Sequence, residues 1–210
     1  MRIWKDPKLN IRQANRSDLD ALYEISLKTG NAGADATALY SDPKLIGHIY
    51  SAPYLLFEPE LAFVVEHRQT VAGFCVGTAD TKKFSALLEA EWWPNLRRKF
   101  PRPQPAHPDT MSPDERRWQL IHDPKVPPST VVDSYPAHVH LNLLPVVQGR
   151  QIGRLLLDHW LSHLAERGAQ AIHIGSNRRN SRAIRFWNSR GFVTLASLDH
   201  STTWMGKSLT

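Results

Sequence analysis

Residues Leu143 to Arg154 read Leu-Leu-Pro-Val-Val-Gln-Gly-Arg-Gln-Ile-Gly-Arg and join a short apolar strand to a strongly amphipathic stretch. Apolar residues then recur at helical spacing, which predicts a helix over 149–167. A strand that turns through glycines into a helix leaves backbone N–H groups at the positive end of the helix dipole. The stretch therefore indicates an anion site of the kind that binds a pyrophosphate.

Two interpretations of Gly149 and Gly153 are open at this point. They let an anion approach the main chain, helped by Arg150 and Arg154, or they only permit the turn and close packing of helix on strand. The junction alone does not separate phosphate binding from packing.

A second motif favours phosphate binding over a packing role alone. It reads Asn180-Ser-Arg-Ala-Ile-Arg-Phe-Trp-Asn-Ser-Arg-Gly-Phe192, and it follows the loop Gln148-Gly-Arg-Gln-Ile-Gly153. At this spacing the two motifs resemble the GNAT family of N-acetyltransferases. Four shorter stretches resemble in particular bacterial acetyltransferases related to the C-terminal acetyltransferase-like domain of O-GlcNAcase: Gly77-Thr-Ala-Asp-Thr81, Trp93-Pro94, Tyr135-Pro-Ala-His-Val-His140 and Leu143-Leu-Pro145.

The resemblance implies an α/β fold of three layers, with a mixed, mostly antiparallel central sheet and helices on both faces. It also implies an acetyltransferase that takes acetyl-CoA as its cofactor and moves the acetyl group to an amine by direct attack in a ternary complex. In such a fold the loop amides hold the pyrophosphate, and one strand's main chain faces the pantetheine arm. The cofactor-binding residues carried over in this way are Leu141, Leu143, Gln148, Gly149, Arg150, Gln151, Ile152, Gly153, Arg154, Asn180 and Ala183.

The sequence departs from the family at three positions. Gln151 replaces a loop glycine, and Trp187 replaces a tyrosine that can protonate the departing sulfur, whereas an indole N–H is no usable acid. Asn142 stands where related proteins carry aspartate, and an amide accepts no proton. Trp187 and Asn142 favour an alternative function, a catalytically weak or inactive acyl-CoA-binding module.

The catalytic base is a separate question, because an amine with a pKa of about 10.4 must lose a proton before it attacks. His140 and Asp80 are the candidate bases, and Asn142 and Trp187 complete the candidate catalytic set. His138 and His140 share one face of the predicted strand, and a purely structural role for both is the alternative. Two histidines without a third ligand do not indicate a metal site, so none is expected.

The rest of the chain is expected to form one domain over residues 1–210. Leu61–Glu66 and Val71–Gly77 predict an antiparallel hairpin, and Ser17 predicts a helix N-cap. A proline- and tryptophan-rich insertion is expected over about 80–135, with short helices at 84–91 and 114–122. The basic cluster 97–99 beside its tryptophans could form a nucleic-acid patch, but we expect the aromatic residues to anchor the insertion to the core.

Composition limits the class and the compartment. Hydrophobic residues make up 41% and charged residues 22%, as in globular proteins, and no apolar run reaches the length of a membrane span. The lone Cys75 forms no internal disulfide, and no export signal is seen, so a cytoplasmic protein is expected. The net charge of +6 favours anionic partners without choosing among them. We expect acetyl-CoA and an amine as partners, neither membrane nor nucleic acid, and a monomer or homodimer.

Overall fold

The computed structural model describes residues 8–104, 110–149, 151–195 and 201–209. The strands are β1 (Leu9–Gln13), β2 (Ala62–His67), β3 (Thr70–Thr78), β4 (Ala137–Leu143), β5 (Ala171–Asn177), β6 (Val193–Thr194) and β7 (Thr202–Ser208). The α-helices are α1 (Leu19–Lys28), α2 (Leu45–Tyr50), α3 (Ala52–Phe57), α4 (Thr81–Glu91), α5 (Trp93–Lys99), α6 (Pro113–His122), α7 (Ser129–Ser134), α8 (Ile152–Glu166) and α9 (Ser181–Ser189).

These strands form one sheet in the order β1-β2-β3-β4-β5-β7-β6. Each neighbouring pair is antiparallel except β4 and β5, which run parallel, so the predicted mixed, mostly antiparallel sheet is confirmed. The β4–β5 pairing contains only Ala137 opposite Ile172 and His138 opposite His173. Beyond these two residues the strands separate, and a gap opens beside the carboxyl end of β4.

Helices cover both faces of the sheet, which confirms the predicted three layers. On one face α8 packs its fully buried Trp160, whose indole N–H donates to the carbonyl of Leu61 at 2.7 Å. The other face carries a second core, in which Leu22 of α1 and Phe84 of α4 pack against Phe74 of β3. Along β4 the side chain of Val139 belongs to the α8 face, so His138 and His140 lie on the opposite face with α3 and α4.

The predicted insertion occupies the connection between β3 and β4. The helices expected at 84–91 and 114–122 are confirmed within α4 and α6, whereas α5 and α7 were missed because prolines suggested breaks. Pro94 lies in the first turn of α5 and Pro128 directly precedes α7, positions where a missing N–H costs nothing. Trp93 and Phe100 are buried in the second core, as the anchoring interpretation expects.

Two predicted helix starts were wrong. The turn before α1 is capped by Asn15 instead of Ser17, because the Asn15 side chain accepts the Ser17 N–H at 2.9 Å and the Asp18 carboxylate accepts the Asn15 N–H at 2.8 Å. α8 begins at Ile152, not at residue 149. In the described part of the chain, no helix combines the length and the apolar character needed to cross a bilayer.

Candidate active site

A cleft of about 1590 Å³ opens where β4 and β5 separate. One end is formed by the start of α8 and by α9, and the other by α2, α3, α4 and α6. Most of the residues predicted from sequence line it: Leu141, Leu143, Gln148, Gly149, Gln151, Ile152, Gly153, Arg154, Asn180 and Ala183, together with His140, Asn142 and Trp187. Arg150 lies outside the described residues, and Asp80 is not among the lining residues.

The edge of β4 that faces β5 offers main-chain hydrogen-bonding groups to the cleft. Leu144, which directly follows β4, donates its N–H to the carbonyl of Ala72 in β3 at 2.8 Å. Because backbone groups alternate in direction along a strand, those of Leu143 and Leu141 point toward β5, which has already turned away. The Gln148 side chain donates to the carbonyl of Leu143 at 2.6 Å and accepts from Arg182 at 2.7 Å. This edge has the form of a strand without a neighbour.

The turn before α8 contains two residues in the left-handed region, Gly149 with φ 80° and Gln151 with φ 59°. A side chain is strained in this conformation, so Gln151 occupies a position that suits glycine. As in any α-helix, the first-turn amides of α8 have no intrahelical acceptors, and no side chain caps them. The turn thus presents N–H donors at the positive end of a helix of 15 residues.

Close packing surrounds this turn. A Cβ atom added at Gly153 would lie 3.3 Å from Leu143 Cδ1 and 3.3 Å from Phe186 Cε2, so glycine allows α8 to approach both neighbours. Asn180 caps α9 by accepting the Ala183 N–H at 3.0 Å. The packing interpretation of Gly153 and an anion site at the helix N-terminus are therefore compatible.

A chain of hydrogen bonds crosses the opposite end of the cleft. The Thr81 hydroxyl donates to the Pro136 carbonyl at 2.6 Å, because a carbonyl only accepts. Its oxygen therefore accepts from His138 Nδ1 at 2.7 Å. The Tyr54 hydroxyl lies 2.7 Å from His138 Nε2 and 3.1 Å from His140 Nε2. One phenol thus bridges two imidazoles.

The protonation of these groups follows from their pKa values and from counting hydrogens. Burial, with the neighbouring His140, holds the pKa of His138 well below its ordinary value, and burial lowers the pKa of His140 to about 4. Both imidazoles are then neutral at pH 7. His138 carries its hydrogen on Nδ1 and accepts the Tyr54 hydrogen at Nε2, so the Tyr54 oxygen accepts from His140 Nε2–H. The lone pair of His140 is therefore on Nδ1, which has no hydrogen-bond partner within the described ranges.

The three other candidate catalytic residues have different surroundings. Asn142 donates its side-chain amide to Thr29 Oγ1 at 2.6 Å, which ties β4 to the end of α1. Asp80 caps α4 by accepting the Lys83 N–H at 3.1 Å, and this hydrogen bond keeps the pKa of its carboxyl below the ordinary value. Trp187 is buried, with its ring centroid 5.0 Å from that of Phe192. Of the two candidate bases, the structure brings His140 to the cleft and leaves Asp80 outside its lining.

Sequence reasoning missed four residues that shape this end of the cleft: Tyr50, Tyr54, Thr81 and Arg117. Arg117 donates to the hydroxyls of Tyr40 at 3.0 Å and Tyr50 at 3.2 Å. The spacing of four between Tyr50 and Tyr54 was the only available signal, and it equally describes a core face. Within the described residues, no group of three or more histidine, cysteine or acidic side chains is arranged to hold a metal ion.

Comparison with known proteins identifies the family. The chain belongs to the acetyltransferase (GNAT) family, whose sequence model matches residues 19–192. The crystal structure of SsHAT is similar, with a TM-score of 0.87 and 37% identity over 97% of this chain and 100% of that one. The structure of yncA from Salmonella typhimurium with acetyl-CoA has a TM-score of 0.55 at 16% identity, covering 97% of this chain and 95% of that one, and supports the fold alone.

One curated relative is much longer. Protein O-GlcNAcase from Rattus norvegicus is 21% identical over 190 residues, which is 90% of this chain and 20% of that protein. The resemblance inferred from the motifs is therefore confirmed, and the chain spans only a small part of that relative's length.

Proposed function

We propose that this protein is an acetyl-CoA-dependent N-acetyltransferase, in which an acceptor amine attacks the acetyl group directly in a ternary complex. Family membership supports acetyl transfer in general. The observation that carries the proposal is the position of His140, which lines the cleft with its Nε2 bound to Tyr54, in a cleft that also contains an uncapped helix N-terminus and an unpaired strand edge.

The cleft fits a coenzyme A thioester along its length. The first-turn amides of α8 suit the pyrophosphate, and the main chain of Leu141 and Leu143 suits the amides of the pantetheine arm. The Leu143 carbonyl accepts from the Gln148 side chain and keeps a second lone pair for a donor of the pantetheine arm. When bound, acetyl-CoA supplies an activated acetyl group, and the protein's own residues position the two reactants.

His140 has the role of receiving the proton that the amine loses. Deprotonating a free amine with a pKa of about 10.4 costs about 4 to 5 kcal/mol at pH 7, whereas good positioning contributes on the order of 7 to 11 kcal/mol. The same burial that keeps His140 neutral also favours the neutral form of a buried amine. His140 therefore acts by orienting the amine and accepting its proton as the new bond forms.

Trp187 packs at the end of the cleft formed by α8 and α9, which we call the cofactor end, and it supplies no acid. Its ring lies 5.1 Å from Phe186 and lines the cleft. A thiol has a pKa of about 8.5, so its thiolate leaves without assistance near neutral pH. The role proposed for Trp187 is to shape the pocket around the sulfur.

The test is the release of CoA from acetyl-CoA across a panel of amines, measured with a thiol reagent. Replacing the base should lower turnover by roughly 10²- to 10⁴-fold with little change in acetyl-CoA affinity, so His140→Ala is the informative variant. His67→Ala is the matched control, because His67 lies at the far end of β2 and does not line the cleft. Binding of acetyl-CoA without acceptor-dependent release in wild type would favour the inactive binding module.

A further inference from the structure

Arg117 differs from Arg97 and Arg102, two other arginines of the insertion, because each of those pairs with a carboxylate. Arg97 pairs with Glu89 and Arg102 pairs with Asp123 at 2.6 Å. Arg117 contacts two phenols, Tyr40 and Tyr50, and no carboxylate lies within 4.0 Å of it in the described part of the chain. Arg117 is therefore a cation with no anionic partner among the residues that the structure describes.

Arg117 is nonetheless kept charged and partly removed from water. Burial disfavours the cation, but the phenolic oxygens of Tyr50 and Tyr40 outweigh this and raise the pKa of Arg117 above its ordinary value. Its Cζ atom lies 5.8 Å from the centroids of both rings, so each ring also contacts the cation. A buried charge of this kind is stabilised when an anion joins it.

The guanidinium has unused N–H donors that such an anion can bind. Of its five N–H groups, Nε–H donates to Tyr40 and one Nη1–H donates to Tyr50. Three donors thus have no partner among the described residues, and Arg117 lines the cleft. A planar fork of this kind matches the two oxygens of a carboxylate or phosphate.

The position of Arg117 places this anion site beside the proposed base. The Tyr50 ring separates the two groups, with its centroid 5.8 Å from Arg117 Cζ and 5.6 Å from the His140 ring. The other arginines of the lining lie at the cofactor end: Arg154 in the first turn of α8, Arg182 in the first turn of α9, and Arg190 directly after α9. Glu89 is the only acidic residue among the described lining residues, and Arg97 already binds it.

We propose that the acceptor is an amine whose molecule also carries an oxyanionic group, a carboxylate or a phosphate, and that Arg117 binds this group while His140 receives the proton from the amine. The inference rests on the proposed function. It disfavours polycationic acceptors, because the described lining offers no unpaired carboxylate to receive a second positive charge.

The experiment compares matched acceptors that differ only in the anion. ω-Amino carboxylates with one to five methylene groups are assayed against their carboxamides, and phosphoethanolamine is assayed against ethanolamine. A lower KM for the carboxylates identifies a carboxylate as the bound group, and a lower KM for phosphoethanolamine identifies a phosphate. Equal KM values within every pair would overturn the proposal.

The variants assign the preference to one side chain. Loss of charge-assisted hydrogen bonds should raise the KM for the preferred anionic acceptor by about 10- to 100-fold in Arg117→Gln, with the KM for the neutral counterpart and for acetyl-CoA unchanged. Arg117→Lys keeps the charge but loses the fork and should be intermediate. Arg98→Gln on α5 is the control for net charge, because Arg98 is exposed and lies outside the cleft lining.

A binding measurement separates failure of this inference from failure of the proposed function. Calorimetry with the same amino carboxylates and phosphoethanolamine is performed on the CoA-loaded protein, where no turnover is needed. Binding to wild type that is lost in Arg117→Gln supports the anion site even if no amine releases CoA. Absence of binding to wild type, or equal binding to a folded Arg117→Gln variant, overturns it.

Discussion

Removing a single oxygen atom by Tyr54→Phe should disturb the two histidines that its hydroxyl contacts, His138 and His140. Tyr54 is buried, and its hydroxyl joins His138 Nε2 at 2.7 Å to His140 Nε2 at 3.1 Å. Phenylalanine keeps the ring, which stacks on Phe84 with centroids 4.6 Å apart. The variant therefore deletes two hydrogen bonds and little else.

The size of the effect follows from the groups left behind. His138 Nε2 loses its donor and His140 Nε2–H loses its acceptor, and each orphaned buried group costs about 1 to 3 kcal/mol. The free energy of unfolding should therefore fall by about 2 to 4 kcal/mol, allowing for partial relaxation around the site. The hydrogen of His140 is also free to move to Nδ1, so turnover should fall while the affinity for acetyl-CoA is kept.

Two assays test this reasoning, with Tyr23→Phe as the matched control. Tyr23 is also a buried tyrosine on a histidine, 2.9 Å from His48 Nδ1, and it does not line the cleft. Urea unfolding should show the larger loss for Tyr54→Phe, and only this variant should slow CoA release. Nitrogen-15 NMR of labelled histidines should show His138 protonated on Nδ1 and His140 on Nε2 in the wild type. The same tautomer at both residues, or an unchanged His140 signal in Tyr54→Phe, would refute the chain.

Three further predictions concern the loop and the buried histidines. Gln151→Gly should raise the urea midpoint, because relief of about 1 to 2 kcal/mol of left-handed strain exceeds the added chain entropy, and Gln151→Ala should give no such gain. Gly153→Asp should weaken acetyl-CoA binding in calorimetry far more than Gly153→Ala, because only aspartate adds a negative charge at the proposed pyrophosphate site. Equal losses in the two variants would mean that steric crowding by the added side chain acts alone. Burial lowers the pKa of His48 and His140 to about 4, so unfolding takes up protons below about pH 6.5. The free energy of unfolding should therefore fall as the pH drops from 6.5 toward 4, by roughly 2 kcal/mol per histidine at pH 5. Identical urea midpoints at pH 7 and pH 5 would contradict this, and His48→Gln should flatten the dependence.

The lowered pKa also changes how a rate profile is interpreted. A solvated imidazole loses its base function between about pH 6 and 8, so a flat profile there would argue against a histidine base. Since burial places the pKa of His140 at about 4, a flat profile over that range is the expected result. Any acidic limb from His140 should lie near pH 4, and the His140→Ala variant has to be compared there and at neutral pH.

The elements around the cofactor end could be predicted because their signals are local. The loop, α8 and the second motif each lie within about one helix length of sequence, and periodicity and motif spacing are properties of such windows. Other local signals are ambiguous because two rules compete at one residue. Asp80 follows a strand of the hairpin, which suggested a catalytic base. It also directly precedes α4, and its carboxylate accepts a hydrogen bond from Lys83 as the N-cap of that helix.

The hydrogen-bonded end of the cleft could not be predicted in the same way. Tyr54 and His138 are 84 residues apart, and Tyr50 and Arg117 are 67 residues apart. No sequence window contains both members of either pair, and only the folded sheet brings α2, α3 and α6 to the same face of β4. The pairing of histidines with phenols, and hence their tautomers, is a property of tertiary structure.

The alternating directions of side chains and main-chain groups along β4 explain how one strand can serve both the cofactor and the acceptor in the proposed function. Its main-chain groups at Leu141 and Leu143 point in the plane of the sheet toward the gap, while the side chains of His138 and His140 project from one face. Thr81, from the segment between β3 and β4, fixes the orientation of the His138 ring by a hydrogen bond to its Nδ1. A shift of β4 by one residue would move the imidazoles to the α8 face and reverse the edge groups together, so the proposed cofactor contact and the proposed proton acceptance depend on the same register.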